Sequence, residues 1–203
     1  MSVLIDSNAD VNVKNRSHQT PLHVAAAHGQ GAAVQVLVDV QADVHFKDQS
    51  NQTPLHSAVS ACRCEAVKVL LEAKASFVVG EDRDGNLLFP AAALGDSEKV
   101  RTLLEEKADV NVRDVVISCM PLHVASMAGY TAIVQALVDA KAKVDYTDRS
   151  NLTPLQRAIV GGHTAVVEVL VRAKAFIAAD GYNNMTPLHD AAKMGHMAIR
   201  SEE

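Results

Sequence analysis

One tetrapeptide governs what this chain can fold into. Thr20-Pro21-Leu22-His23 returns as Thr53-Pro54-Leu55-His56, Met120-Pro121-Leu122-His123, Thr153-Pro154-Leu155-Gln156 and Thr186-Pro187-Leu188-His189, with a degraded copy at Asn86-Leu87-Leu88-Phe89. The first residues of successive tetrads lie 33, 33, 34, 33 and 33 residues apart, so a single residue is inserted between Asp114 and Met120. A fixed period of this length implies one small supersecondary unit copied along the chain. No copy can bury its own apolar faces, so each must stack on its neighbours.

Within the unit, each tetrad reads as a helix start. Thr or Asn caps the first free amides, and Pro at the first helical position loses only a hydrogen bond that was missing anyway. Small residues follow, as in Ala25-Ala26, Ala91-Ala92 and Ala191-Ala192, and a Gly arrives nine residues after the cap at Gly29, Gly95, Gly129, Gly162 and Gly195. A left-handed residue there ends a short helix. A second apolar pattern at i, i+3, i+4 then predicts another helix, as in Val34-Leu37-Val38, Val100-Leu103-Leu104 and Val167-Leu170-Val171. Polar turn residues close the unit, with Asn51, Asn151 and Asn184 where positive φ is expected.

The 33-residue period with its T-P-L-H-x-A core resembles the ankyrin repeat. The resemblance covers nearly the whole chain: residues 1–203 read as one domain, with repeats at 15–47, 48–80, 81–114, 115–147 and 148–180 and partial repeats at 1–14 and 181–203. It implies an all-α solenoid of stacked helix-turn-helix units with protruding turn fingers. It also implies structural duties for the motif residues Thr20, His23, Thr53, His56, His123, Thr153, Thr186 and His189, the histidines tying adjacent repeats together. Neither end carries a polar capping repeat, so the expectation is a piece of a longer array or a covered surface.

Composition narrows the function. Of 203 residues 48% are hydrophobic, and 24 acidic residues outnumber 19 basic ones for a net charge of −5, against the bulk positive charge of a nucleic-acid footprint. Three cysteines, Cys62, Cys64 and Cys119, cannot form a disulfide framework and fit a reducing compartment. The start, Met1 to Asp10, lacks the basic region of a secretory signal, and no apolar stretch reaches the length of a membrane span. The expected location is the cytoplasm or nucleus, with neither nucleic-acid binding nor membrane insertion. Cys62-Arg63-Cys64 has no partner pair for zinc. There is also no H-E-x-x-H, G-x-S-x-G or P-loop, so an enzyme is not expected and neither cofactor nor metal is called for.

Departures from the repeat mark candidate functions. Pro90 falls at the fourth helical position counted from Leu87, predicting a short or distorted helix. The Gly that ankyrin repeats often place after the second helix is Gln41, Lys74, Lys107, Lys141 or Lys174 here. Cations there favour a helix carboxyl end, or serve an acidic partner or anionic surface. By resemblance, fingers and first helices form a concave surface that binds another protein. Candidate contacts carried over by register are Arg83, Leu94, Val115, Val116, Ile117, Met127, Arg149, Leu152, Val160 and Tyr182. The run Val115-Val116-Ile117 stands out because the other turns are polar. With Met127, Leu152 and Val160 it reads as an exposed apolar contact centre beside Arg83 and Arg149. Two other readings stand beside this scaffold. Leu4–Asn12 and Leu103–Asn111 fit an L-x-x-x-x-x-D-V-N pattern similar to asparaginyl hydroxylation sites in ankyrin repeats, with Asn12 and Asn111 as acceptors. Alternatively, the array is the regulatory arm of a larger enzyme or channel.

Overall fold

The computed structural model describes residues 9–75, 87–177 and 186–194. Eleven helices and no strand occur among the described residues. They alternate between a first helix and a second: α1 (Pro21–Ala27) and α2 (Gly31–Asp39), α3 (Pro54–Ser60) and α4 (Cys64–Glu72), α5 (Leu88–Leu94) and α6 (Ser97–Glu105), α7 (Pro121–Ala128) and α8 (Thr131–Asp139), α9 (Pro154–Gly161) and α10 (Thr164–Arg172), then α11 (Pro187–Met194). The chain divides into two compact units, Met1–Phe77 and Val78–Glu203. In the first, α1 packs on α3 and α2 on α4. In the second, α5, α7, α9 and α11 pack in succession, and α6, α8 and α10 do the same. Between repeats, first helices thus pack chiefly on first helices and second helices on second helices, while the two helices of one repeat pack on each other.

Three left-handed residues per repeat impose this shape. Among the described residues, positive φ occurs at ten non-glycine residues and four glycines, and all fall at three repeat positions. The finger turn uses His18, Asn51, Ser118 and Asn151; the first helix ends at Gly29, Cys62, Gly95, Gly129 and Gly162; the second ends at Gln41, Lys74, Lys107, Lys141 and Lys174. At the second-helix end the amide of Lys107 donates to the Leu104 carbonyl and that of Ala108 to the Leu103 carbonyl. Gln41 and Ala42 repeat the pattern on Val38 and Leu37. This is the Schellman arrangement, in which a left-handed residue lets the chain turn back and satisfy two orphan carbonyls. The alanine after each such Lys or Gln is buried at Ala42, Ala75, Ala142 and Ala175.

Glycine is required for a second reason at Gly129, where φ is +78° and a Cβ would come within 2.5 Å of the His163 ring. His163, from the next repeat, lies over that glycine and donates from Nε2 to the Met127 carbonyl at 2.9 Å. Arg63 does the same over Gly29, its Nε donating to the Ala27 carbonyl at 3.2 Å. At these two places a side chain opening a second helix therefore closes the end of the preceding first helix.

Packing follows the expected periodicity. Leu22, Leu55, Leu122 and Leu155 of the first helices are buried, as are Val34 and Leu37, Val100 and Leu103, and Val167 and Leu170 of the second helices. Fully buried Ala26, Ala92, Ala125 and Ala158 let the first helices approach closely. The distortion expected at Pro90 does not occur. Helix α5 begins at Leu88 with Leu87 as its cap, which makes Pro90 the third helical residue. An amide there has no acceptor within the helix, so proline removes nothing, and α5 runs seven residues like α1 and α3. Phe89, at the tetrad's histidine position, is fully buried.

The tetrad histidines join one repeat to the next. The Thr20 amide donates to His23 Nδ1 at 3.2 Å and the Thr20 hydroxyl lies 2.9 Å from the same nitrogen. Because Nδ1 accepts, the ring proton sits on Nε2, which donates to the Gln52 carbonyl of the next repeat at 3.0 Å. His123 takes its bond from the Met120 amide at 3.3 Å and donates to the Tyr146 carbonyl at 2.9 Å. Thr53 with His56 and Thr186 with His189 make the same local pairing. Aromatic rings near the end of the same repeat stand edge-on to two of these imidazoles, Phe46 on His23 and Tyr146 on His123. A cation from the preceding turn completes each cluster: Lys14 Nζ lies 5.4 Å from the Phe46 ring centre, and Arg113 donates to the Tyr146 hydroxyl.

Protonating these rings would turn an acceptor into a donor facing an amide. Burial, the largest influence, lowers the pKa of His23 and brings that of His123 down to about 4. Asp148 opposes the shift at His123 and Arg157 adds to it. Above pH 6.5 the ring is neutral whether the chain is folded or not. Between 6.5 and 4 the unfolded chain binds a proton that the fold refuses, so stability falls as pH drops through that window. Gln156 fills the same position in the next repeat, its Oε1 accepting from the Thr153 amide at 3.1 Å, so His123→Gln preserves the bonding without titrating. Urea unfolding at pH 7 and pH 5 will show a loss on acidification that is smaller in His123→Gln than in wild type by roughly 1–2 kcal/mol.

Candidate functional site

The fingers are built by side chains that bind their own backbone. Asp48 Oδ1 accepts from the amides of Ser50 and Gln52 at 2.8 and 2.9 Å, and Asp148 Oδ1 from those of Ser150 and Leu152 at 2.8 and 3.2 Å. Asn15 does the same for Ser17 and Gln19. Such turns tolerate the left-handed residue that follows. Neighbouring fingers then pair: the Gln49 amide donates to the Ser17 carbonyl, and the Arg149 amide to the Ile117 carbonyl at 2.8 Å.

The inserted residue changes the finger that begins at Asp114, and this overturns the expected apolar contact centre. Asp114 Oδ1 accepts from the Val116 and Ile117 amides at 2.8 and 2.9 Å, and the turn closes on Cys119 through the Asp114 amide. Val116 is 6% exposed, Ile117 3% and Met127 2%; of the run only Val115 points outward, at 55%. The longer turn carries two apolar residues into the interior instead of displaying them. Arg149 seals it, donating from Nη1 to the Val116 carbonyl at 2.9 Å. Val116, Ile117 and Met127 are thus core residues.

The other residues proposed from register are reached in part. Leu94 is 41% exposed at the end of α5, Arg149 is exposed on its finger, and Leu152 and Val160 are half-buried. Arg83 and Tyr182 lie outside the described residues. Asn12 and Asn111 each bridge to the following repeat, their side-chain carbonyls accepting from the Asp43 and Lys143 amides at 2.9 and 2.8 Å. Asp145 performs the same task toward Phe176 at 2.7 Å.

A buried ion pair beneath the Asp148 finger escaped the sequence reading. Arg157 of α9 and Asp148 are both buried, and Arg157 Nε donates to Asp148 Oδ2 at 2.7 Å, with Nη2 on the same oxygen. One carboxylate thus holds the finger through one oxygen and the first helix through the other. A basic residue inside the apolar run Leu155 to Ile159, nine residues after an aspartate, was the available signal. In the next repeat Asp190 occupies the position of Arg157 and accepts from Gln156 Nε2 at 3.3 Å. Burial raises its pKa, opposed by that hydrogen bond.

Two further features stand apart from the fingers. An open cleft of about 670 Å³ beside α1 is lined by Val13, Lys14, Val24, His28 and Leu37 among others. Its Val24 is exposed, whereas Val124 at the same repeat position is buried. Cys62 and Cys64 are half-buried, and burial followed by the neighbouring Cys62 pushes the Cys64 thiol up, away from thiolate chemistry. Among the described residues no three His, Cys, Asp or Glu side chains gather as metal ligands do, and no helix is long and apolar enough to cross a membrane.

Removing one member of the ion pair leaves a charge stranded in the interior, whereas removing both does not. Arg157→Leu will lower unfolding free energy by about 3–5 kcal/mol. Adding Asp148→Asn, which retains an acceptor for the finger amides, will recover most of it in urea titrations. A double variant as unstable as the single one would disprove this division of roles.

Comparison with curated proteins finds no match. The family model described as ankyrin repeats (3 copies) matches residues 1–82, 88–180 and 122–200, and its repeats correspond to the stacked helix pairs, left-handed termini and fingers described above. The chain belongs to the ankyrin-repeat family.

Proposed function

We propose that this chain is a non-catalytic scaffold, acting in the cytoplasm, that holds a partner protein against the fingers and first helices of its second unit. Ankyrin repeats are generally protein–protein interaction modules. The observation that carries the reading for this chain is the set of apolar side chains left uncovered on that side. Val115 at a finger tip and Leu94 at the end of α5 are exposed, and Val160 and Leu152 are half-buried. Leu94 and Val160 sit on helices, and Val115 and Leu152 in turns held by Asp114 and Asp148, so little conformational freedom is lost when a partner covers them. Exposed apolar residues on a pre-ordered framework favour a protein contact over a small-molecule site.

The reading is tested by comparing wild type with Leu94→Asp/Val115→Asp as bait in extracts of the native cell. Both positions are exposed, so each substitution will change stability by no more than about 0.5 kcal/mol. The proteins retained specifically by wild type will be lost. Ile117→Asp is the contrasting variant: a carboxylate forced into the interior will destabilise the fold by about 3 kcal/mol or more, visible as early melting by circular dichroism. An unchanged set of captured proteins on the first variant would refute the assignment of this surface.

A further inference from the structure

We infer that the segment received by the fingers of the second unit is acidic as well as apolar, a carboxylate of the partner meeting Arg149. The inference rests on the preceding assignment of the binding face and adds the chemistry of what it takes.

On the Asp114 and Asp148 fingers and the first helices that follow them, the exposed charge is opposite in sign to that of the chain. The whole sequence carries a net charge of −5, yet helices α7 and α9 contain no acidic residue. The two finger carboxylates, Asp114 and Asp148, are buried and turned onto their own amides. The other described acidic residues of the same repeats lie elsewhere, Asp139 on α8, Glu168 on α10 and Asp145 in the turn between α8 and the Asp148 finger. Arg157, the other cation here, is buried against Asp148. From Asp114 to Gly161, the finger turns and first helices therefore present one exposed cation, Arg149, and no exposed anion.

Arg149 is also held in place. Its amide donates to the Ile117 carbonyl and its Nη1 to the Val116 carbonyl, which fixes the guanidinium at the rim of the inserted turn beside exposed Val115. A guanidinium has five N–H donors, and a carboxylate matches its fork geometry. Because the side chain is already ordered, pairing with a carboxylate sacrifices little rotamer entropy. The apolar neighbours Val115, Leu152 and Val160 supply no counter-charge and ask for an apolar residue next to that carboxylate.

The probe is a display library of random twelve-residue peptides selected on the full chain, with the binding face of each selected peptide mapped by hydrogen exchange. Peptides protecting the 115–118 and 149–152 turns should carry Asp or Glu beside Leu, Ile or Phe. Replacing their acids with Asn or Gln should weaken them, as should added salt. Arg149→Glu should weaken binding by about tenfold or more. Arg149→Gln, which keeps a donor for Val116, should weaken it less, with circular dichroism showing both variants folded. Selection of basic or uncharged peptides on this face, or equal binding to the Arg149 variants, overturns the inference and leaves the binding face itself standing. Peptides that protect only the α8 and α10 surfaces, or a library that yields none, overturn both.

Discussion

Helices α1 to α10 must each end within seven to nine residues, and a left-handed residue ends them. Placing Gln or Lys in that conformation costs on the order of 1 kcal/mol relative to glycine. The chain accepts the cost at five second-helix ends. The return is local and visible: the two orphan carbonyls are satisfied, the following alanine is delivered to the core at four of the five, and at the four lysines a cation stands at the negative end of the helix dipole. Without the turn, the second helix would run past the point where the next finger must begin, and no pairing between fingers could form. The spacing of helices, fingers and exposed side chains within each unit thus depends on these few backbone angles.

That constraint was largely legible from the sequence because it recurs. Glycines nine residues after each cap, lysines at one repeat position and Asn51 and Asn151 in the turns all indicated positive φ, and all adopt it. His18 and Ser118 take the same conformation with no local signal; only their register with Asn51 and Asn151 reveals it. Asn184 and Gly195 lie outside the described residues. Pro90 was misjudged by one residue, since the helix begins at Leu88 instead of Leu87, and a shift of one position moves proline from a helix-breaking site to a harmless one.

The site was less legible than the frame, because exposure is not periodic. Val115, Val116 and Ile117 have nearly the same composition and propensity, yet one is outside and two are inside. The inserted residue alters which amides the Asp114 carboxylate can reach, and that choice rotates the run. Apolarity in a turn was a sound signal that burial is needed, but it does not say whether the protein itself or a partner provides it. Arg157 shows the converse. Its charge suggested exposure, while Asp148 allows it to be buried, and the pairing spans nine residues across two structural elements.

A common economy links the fingers to the surface they display. Each aspartate that opens a finger turns inward, and its charge goes to backbone amides or to a buried arginine. The shape of the turn and the sign of the surface are consequently set by the same residues. A finger opened by a neutral asparagine, as at Asn15, forms the same turn with no charge to conceal. At the Asp114 finger the carboxylate is turned away from the surface, and Arg149 on the next finger is left to set the sign of the contact face proposed above. Electrostatic selectivity of this kind is inherited from folding: the carboxylates that could repel an acidic partner are already engaged in making the turns that present Arg149.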